Sequence, residues 1–375
     1  MRKHIIYRYF LFLSLVGLMQ LALSCSSSSN EIEPLKPEGE DTPLEKDEYT
    51  FMNVEYRKWQ NGTFQAWTTA DSRETRTIDN MNWYTPSSDY SRTAWGGRIG
   101  LQPSSVVGKE GFFRVASCGG RSYLLDPDNG AVIIHGIQHV RPGESTAHKK
   151  AFGTRYGSEA RWSEETGKLL ADNHINYISY GSNRIEVFPA AVRGNLLTPK
   201  TQKIAYAENL YLLRTFMWDM SKNLGYAFDD DKYNRLVLLF EPTFATYIDR
   251  LVQEKSALFA GDRHFIGFYL DNELPFASYQ GTGYANTEGG GWLVHTQKNR
   301  GEFYQNFCLR LLETRNCVGW VHFEYNDGYD SNGKASNKGV VSIEYEPYES
   351  FLSQMRQLNL SVHSLIDYYD TKSVQ

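Results

Sequence analysis

The segment Phe265-Ile266-Gly267-Phe268-Tyr269-Leu270 runs directly into Asp271-Asn272-Glu273. Apolar and small residues followed at once by three polar ones read as a buried strand whose C-terminal end carries the polar group. In a βα barrel that rim is where active sites are built. A carboxyl group there, beside apolar walls, can have a raised pKa and act as a general acid. The plainer reading of the same residues is a cluster that caps a turn, and the segment alone leaves both open. Other patterns are weaker. His135 and His139 lie four apart, which on a strand rising roughly 3.3 Å per residue separates them by about 13 Å, too far for one metal. Gly283 and Gly289–Gly291 follow no strand and precede no phosphate-loop Lys-Ser/Thr pair, which argues against nucleotide binding.

The elements that must position Asp271–Glu273 alternate. Ala131–Val140 reads as an apolar strand, Glu159–Asn173 as a helix and Ile175–Tyr180 as a strand. Lys203–Leu224 reads as a long amphipathic stretch, Leu236–Phe240 as a short strand, and Glu241-Pro242 as the start of a helix running to about Phe259. Asn299–Glu313 predicts a helix with Phe303, Phe307, Leu311 and Leu312 on one face. Cys317–Tyr325 predicts a last strand and Pro347–Tyr369 a terminal helix. Such alternation, with strands apolar on both faces, predicts a parallel sheet or a (β/α) barrel. Residues 49–117 are rich in short alternating runs and turn formers and predict a small β-rich region. Arg121–His135 reads as a hairpin around Asp126-Pro127-Asp128-Asn129-Gly130. No internal repeat is visible.

At this point the chain resembles clan A glycoside hydrolases, in which Asn-Glu ends the fourth barrel strand and the Glu is the acid/base. It is most similar to the β-agarase-like proteins of glycoside hydrolase family 50 and their Bacteroidetes relatives, which carry Asp-Asn-Glu-Leu followed by Pro or Ser. The matching patches are Gly111–Gly143, Phe265–Phe276, Gly291–Gly301, Val318–Asp327 and Asn337–Tyr348, spread between about Gly111 and Tyr369. The resemblance implies an α/β protein of (β/α)8 TIM-barrel type. It implies that Asn272 orients substrate, that Glu273 is the acid/base, and that His139, Trp292, Trp320, His322, Tyr325 and Asp327 fall on sugar-binding rims. No metal or organic cofactor is implied, since a carboxylate glycosidase needs none. The family's last strand commonly reads Gly-Trp-His-Trp-Phe, whereas here Gly319-Trp320-Val321-His322-Phe323 puts His322 at an aromatic platform position.

A retaining glycosidase needs a second carboxyl group about 5–5.5 Å from the first. In this clan it ends the seventh strand, and no matching stretch is present. Between Glu273 and Asn299 lie only 25 residues, 274 to 298, whereas a single βαβ unit takes roughly 30. The barrel is therefore expected to be incomplete, with strands five to seven deleted. Ala131 to Gln375 still amounts to 245 residues, near the roughly 250 of a whole barrel, so length admits what spacing withdraws. Three carboxylates are left to stand in: Glu288 in a Gly-rich loop, Glu324, which shares a strand face with Trp320 and His322, and Asp327, which better suits binding a hydroxyl.

Arg2, Lys3 and Arg8 precede an apolar run that ends at Leu21-Ala22-Leu23-Ser24-Cys25. This resembles a bacterial lipoprotein signal over residues 1–24, with Cys25 lipidated and a disordered tether over residues 25–48. The barrel-like domain would then occupy residues 118–375. The expected location is the bacterial cell envelope, at the outer membrane. Cys118, Cys308 and Cys317 form no zinc spacing and are expected to be buried thiols. Of the 375 residues 41% are hydrophobic and 22% charged, which excludes a wholly disordered chain, and a net charge of −5 argues against nucleic acid as partner. Aromatic residues reach 14%, as a large core or a sugar-facing surface requires. Three readings follow. The first is an exported glycoside hydrolase acting on a galactan-type polysaccharide. The second is a lipid-anchored carbohydrate-binding protein lacking the nucleophile. The third is a truncated product without function.

Overall fold

The computed structural model describes residues 48–60, 63–87, 90–182, 185, 188–224, 241–271, 292–329 and 335–372. The chain begins with strands β1 (Met52–Gln60), β2 (Thr63–Phe64) and β3 (Asp71–Thr75), then β4 (Ser105–Val107), β5 (Arg114–Cys118), β6 (Arg121–Leu125) and β7 (Ala131–Val132). Strand and helix then alternate: β8 (Ile134–Ile137), α1 (Thr146–Arg155), α2 (Glu159–Asp172), β9 (Tyr177–Ile178), α3 (Ala190–Leu197), β10 (Ala205–Asn209), α4 (Leu212–Leu224), α5 (Phe244–Leu258) and β11 (Phe265–Tyr269). After these come β12 (Trp292–Val294), α6 (Gln297–Glu313), β13 (Gly319–His322), the small pair β14 (Gly328–Tyr329) and β15 (Ala335–Ser336), and the terminal helix α7 (Glu349–Lys372).

Five strands form one parallel sheet in the order β11-β10-β9-β8-β13. Counted from β8 as the first strand of a barrel, that order is four, three, two, one, eight. Among the described residues nothing joins β11 to β13, so the sheet is open and no closed barrel is seen. All four residues of β8 are buried, as a central parallel strand requires. One face of the sheet packs Ile137, Ile178 and Tyr206 against Trp162 and Leu170 of α2 and Leu196 of α3. The other gathers Ile134, Tyr177, Ala205 and Ala207 with Trp95 and Val321.

The helices are ordered by their ends and their buried stripes. Ser158 caps α2 by accepting from the Arg161 amide, and Trp162, Thr166 and Leu170 then recur every fourth residue on its buried side. In α7, Leu358, Val362, Leu365 and Ile366 meet Cys308, Leu309 and Leu312 of α6 and Trp320 of β13.

Several expectations change. Ala131–Val140 divides between two sheets: β7 closes the Asp126–Gly130 hairpin, and β8 enters the parallel sheet. In that hairpin the Asp126 carboxylate accepts from the amides of Asp128 (2.9 Å) and Gly130 (3.0 Å), the Asx chemistry of a tight turn. Lys203–Leu224 holds a strand before its helix, because the buried Ala205-Tyr206-Ala207 run suits an interior strand. Leu236–Phe240 lies outside the described residues. The Phe303/Phe307 stripe of α6 does not face the core: Gly301, Gln305, Cys308, Leu309 and Leu312 do, and Phe307 is 62% exposed. Phe303 and Phe307 line a cavity of about 270 Å³ with Trp320 and Phe323, at the β13 end of the sheet. Strand β12 pairs antiparallel with β1, so the N-terminal β region includes a late segment of the chain. Of the three thiols only Cys308 is fully buried.

Candidate functional site

Because the five strands are parallel, their C-terminal ends share one rim. It is formed by Gln138–Arg141 after β8, Ser179–Ser182 after β9, Leu210–Tyr211 after β10, Leu270–Asp271 after β11 and Phe323–Tyr325 after β13. Backbone bonds stitch the loops together: Gln138 donates its amide to His322 (3.0 Å), and Tyr325 donates its amide to Gln138 (3.0 Å). Ser182 Oγ accepts from the Val140 amide (3.0 Å) and donates to Ser179 O (2.6 Å).

Two features of this rim carry polar chemistry. The first pairs His139 Nδ1 with Glu324 Oε2 at 3.0 Å. His139 adopts the left-handed backbone region at φ 56°, and its ring lies directly on Gly181. A Cβ at residue 181 would meet His139 Cδ2 at 2.3 Å, so glycine is required for the ring to occupy this place. The Phe323 ring stands edge-on to His139 with centroids 5.0 Å apart and is 43% exposed. The second feature is a row of tyrosines. Tyr180 lies 4.6 Å from Tyr269 and 6.5 Å from Tyr211, centroid to centroid. Tyr177 donates its hydroxyl to that of Tyr269 at 3.2 Å. Tyr211, also left-handed at φ 49°, donates its amide to Asn209 Oδ1 at 2.8 Å. Burial pushes the Tyr211 hydroxyl pKa up, and the nearby Arg214 and Arg141 guanidiniums oppose that rise. Beyond Tyr211 opens a cavity of about 560 Å³, whose lining includes Arg141, Asn209, Arg214 and Trp218.

The residues expected from sequence are distributed unevenly. Asn272, Glu273, Glu288 and Cys25 lie outside the described residues. Asp271, at the end of β11, accepts from the Leu213 amide at 2.8 Å and so helps cap the start of α4. His139 is on the rim. Trp320 is not: it is 6% exposed, donates its indole N–H to Tyr304 Oη at 2.6 Å, and packs against α6 and α7. His322 points the same way, because side chains two apart share a strand face. Its Nε2 lies 3.1 Å from Arg300 Nη2, and desolvation together with that guanidinium pushes its pKa down to about 3. The exposed ring at this strand end is Phe323, not His322. Tyr325 is 1% exposed, with its hydroxyl 2.9 Å from that of Thr166 in the main core, so no face of the ring is open to a sugar. Asp327 is also buried. It accepts from Tyr348 Oη (2.6 Å), the Gly339 amide (2.8 Å) and Asn337 Nδ2 (3.0 Å), organising the closing segment rather than offering a free carboxylate. Burial pushes its pKa up, and these hydrogen bonds oppose the rise. Trp292 lies in β12, stacked on Tyr56 at 4.3 Å with the Arg73 guanidinium 5.0 Å from its ring, away from the parallel rim.

Sequence reasoning did not single out Tyr180, Tyr211, Tyr269, Arg214 or Phe323. Their common signal is position at a strand's C-terminal end or in the first turn of the helix after it. That signal becomes usable only when the strand boundaries are known. Among the described residues no cluster of three His, Cys, Asp or Glu side chains is placed to hold a metal ion.

A parallel βα sheet with aromatic and charged side chains gathered at its C-terminal rim defines an α/β protein. The chain has the fold of GH50-type glycoside hydrolases. It matches the crystal structure of BpGH50 with a TM-score of 0.69 at 18% identity, over 86% of this chain and 96% of that one. It is more distantly similar to the agarase AgWH50C (TM-score 0.45, 13% identity, 75% of this chain and 67% of that one). An exo-beta-agarase matches at a TM-score of 0.41 and 11% identity, over 75% and 69%. No protein-family model and no curated protein sequence matches the chain.

Proposed function

We propose that the chain is an exported, lipid-anchored protein of glycoside hydrolase descent that binds a galactan-type polysaccharide at the C-terminal rim of its parallel sheet. The observation that carries this reading is the strand order β11-β10-β9-β8-β13. It keeps the rim of strands one to four and eight, with rings and hydrogen-bonding groups facing one opening, while no described strand stands where the family's nucleophile would be carried. Flat rings such as Tyr269 and Phe323 stack on the apolar faces of pyranosides. Arg141 and Arg214 supply donors for hydroxyl groups. The galactan comes from the sequence resemblance, and the lipid anchor from the segment ending at Cys25.

A second reading, hydrolysis with Glu273 as acid/base, is favoured by the Glu324 carboxylate, which the His139 ring holds at the rim. One experiment separates the two. The purified chain is titrated calorimetrically with agarose- and porphyran-derived oligosaccharides while released reducing ends are measured. Binding without product supports the binding protein. Product release that disappears in Glu273→Gln supports the hydrolase. Failure to bind any oligosaccharide refutes both.

A further inference from the structure

Three cationic side chains and one carboxylate share the wall of the cavity beside Tyr211. Arg141, Arg214 and Lys255 all border its volume of about 560 Å³. Arg141 is paired with Glu144 (2.8 Å). Arg214 has no carboxylate within ion-pair distance among the described residues. Its guanidinium instead lies 6.0 Å from the ring centroids of both Tyr211 and Trp218. Asn209 uses its Oδ1 on the Tyr211 amide, and its Nδ2 is buried without a hydrogen-bond partner. The carboxylate on the wall, Glu208, accepts from the Ile185 amide at 2.8 Å. A chain with a net charge of −5 has no general excess of cations to account for this grouping. Guanidinium groups are suited to anions with two or three oxygens in a plane or fork. The exposed Trp218 ring beside Arg214 supplies an apolar plate for the sugar that carries the anion.

We propose that this cavity is a subsite for an anionic sugar residue, binding the sulfate ester or carboxylate of an acidic polysaccharide through Arg214 and Arg141, with the pyranose against Trp218. The inference rests on the polysaccharide-binding reading and narrows it from galactans in general to charged ones. The two sources of the anion share their chemistry, and only the ligand series distinguishes them.

The test is calorimetry on the purified full chain with three oligosaccharide sets: sulfated porphyran fragments, the same fragments after desulfation, and oligogalacturonates. Sulfated or uronate ligands should bind about tenfold tighter than the desulfated set, the value of one charge-assisted hydrogen bond. That advantage should shrink between about 50 mM and about 300 mM NaCl as screening shortens. Arg214→Gln should remove most of the preference, weakening the charged ligands far more than the desulfated one, and Arg214→Lys should keep part of it. Arg141→Gln serves as a second variant if Arg214→Gln melts early. Preference for sulfate alone or for carboxylate alone supports the subsite and identifies its anion. Equal affinity for charged and desulfated ligands, or a preference that survives both Gln variants, overturns the subsite while the polysaccharide reading stands. No binding by any of the three sets overturns both.

Discussion

Acidifying the protein from about pH 7 to about pH 5 is expected to remove about 6 kcal/mol of folding stability, through three histidines that the fold keeps neutral. His135 is buried with Nδ1 donating to His174 O at 3.3 Å and with Nε2 lacking any partner, and desolvation pushes its pKa down to about 3. His322 is held at about 3 by desolvation and by the Arg300 guanidinium. His363 is held at about 4 by desolvation and by Arg92. All three folded values lie below the ordinary unfolded value of about 6.5. The unfolded chain therefore binds protons first as the pH falls. The stability these groups contribute is present above about 6.5 and declines as the pH drops toward the folded values. For each group the two-unit step corresponds to about 2 kcal/mol, which sums to about 6 kcal/mol against the 5–15 kcal/mol typical of a domain. Asp126 and Asp327, whose pKa values burial raises, act in the opposite direction, but only as the pH approaches the carboxylate range. Urea unfolding at the two pH values measures the difference. His322→Gln, which keeps an acceptor for Arg300 but does not titrate, should reduce the loss by about a third. A stability that is flat or rising on acidification, or an unchanged slope in His322→Gln, would refute the assignment of neutral buried imidazoles.

Three further outcomes are expected. Gly181→Ala places a methyl 2.3 Å from the His139 ring at a backbone φ of 78°. It should cost about 1–3 kcal/mol in thermal unfolding and lower oligosaccharide affinity by displacing the His139–Glu324 pair. Trp320→Phe removes the indole donor to Tyr304 from a side chain only 6% exposed. It should cost about 1–3 kcal/mol by denaturant titration yet leave calorimetric affinity for oligosaccharides unchanged. A loss of affinity at unchanged stability would restore Trp320 to the binding surface. Phe323→Ala should do the reverse: because the ring is 43% exposed, stability should move by less than about 1 kcal/mol while oligosaccharide binding weakens about fivefold.

Much of the architecture was legible before any coordinates, because it rests on local rules. Apolar runs buried on both faces announce parallel strands, as at Ile134–Ile137. The hairpin follows from the turn formers Asp126-Pro127-Asp128-Asn129-Gly130 and α2 from the helical spacing of Glu159–Asn173. The shortage of residues between Glu273 and Asn299 is a matter of counting, and among the described residues the parallel sheet ends at β11 and β13. Composition and charge likewise argued against nucleic acid without reference to shape. Side-chain direction was a different matter. Whether Trp320 or Phe323 faces the rim depends on strand register, and one residue of phase exchanges the two faces. That phase put Trp320 and His322 among the helices, Tyr325 in the core and Phe323 in the opening. The pairing of His139 with Glu324 joins residues 185 positions apart, and it needs the room that Gly181 leaves. Sequence by itself determined most of the strand–helix alternation, though not β10 or the break between β7 and β8, and which stretch is short for a barrel, since hydrophobic period and chain length are local quantities. Only the tertiary structure decided which aromatic and charged groups share the rim, because that depends on sheet order and on the direction each strand turns its side chains.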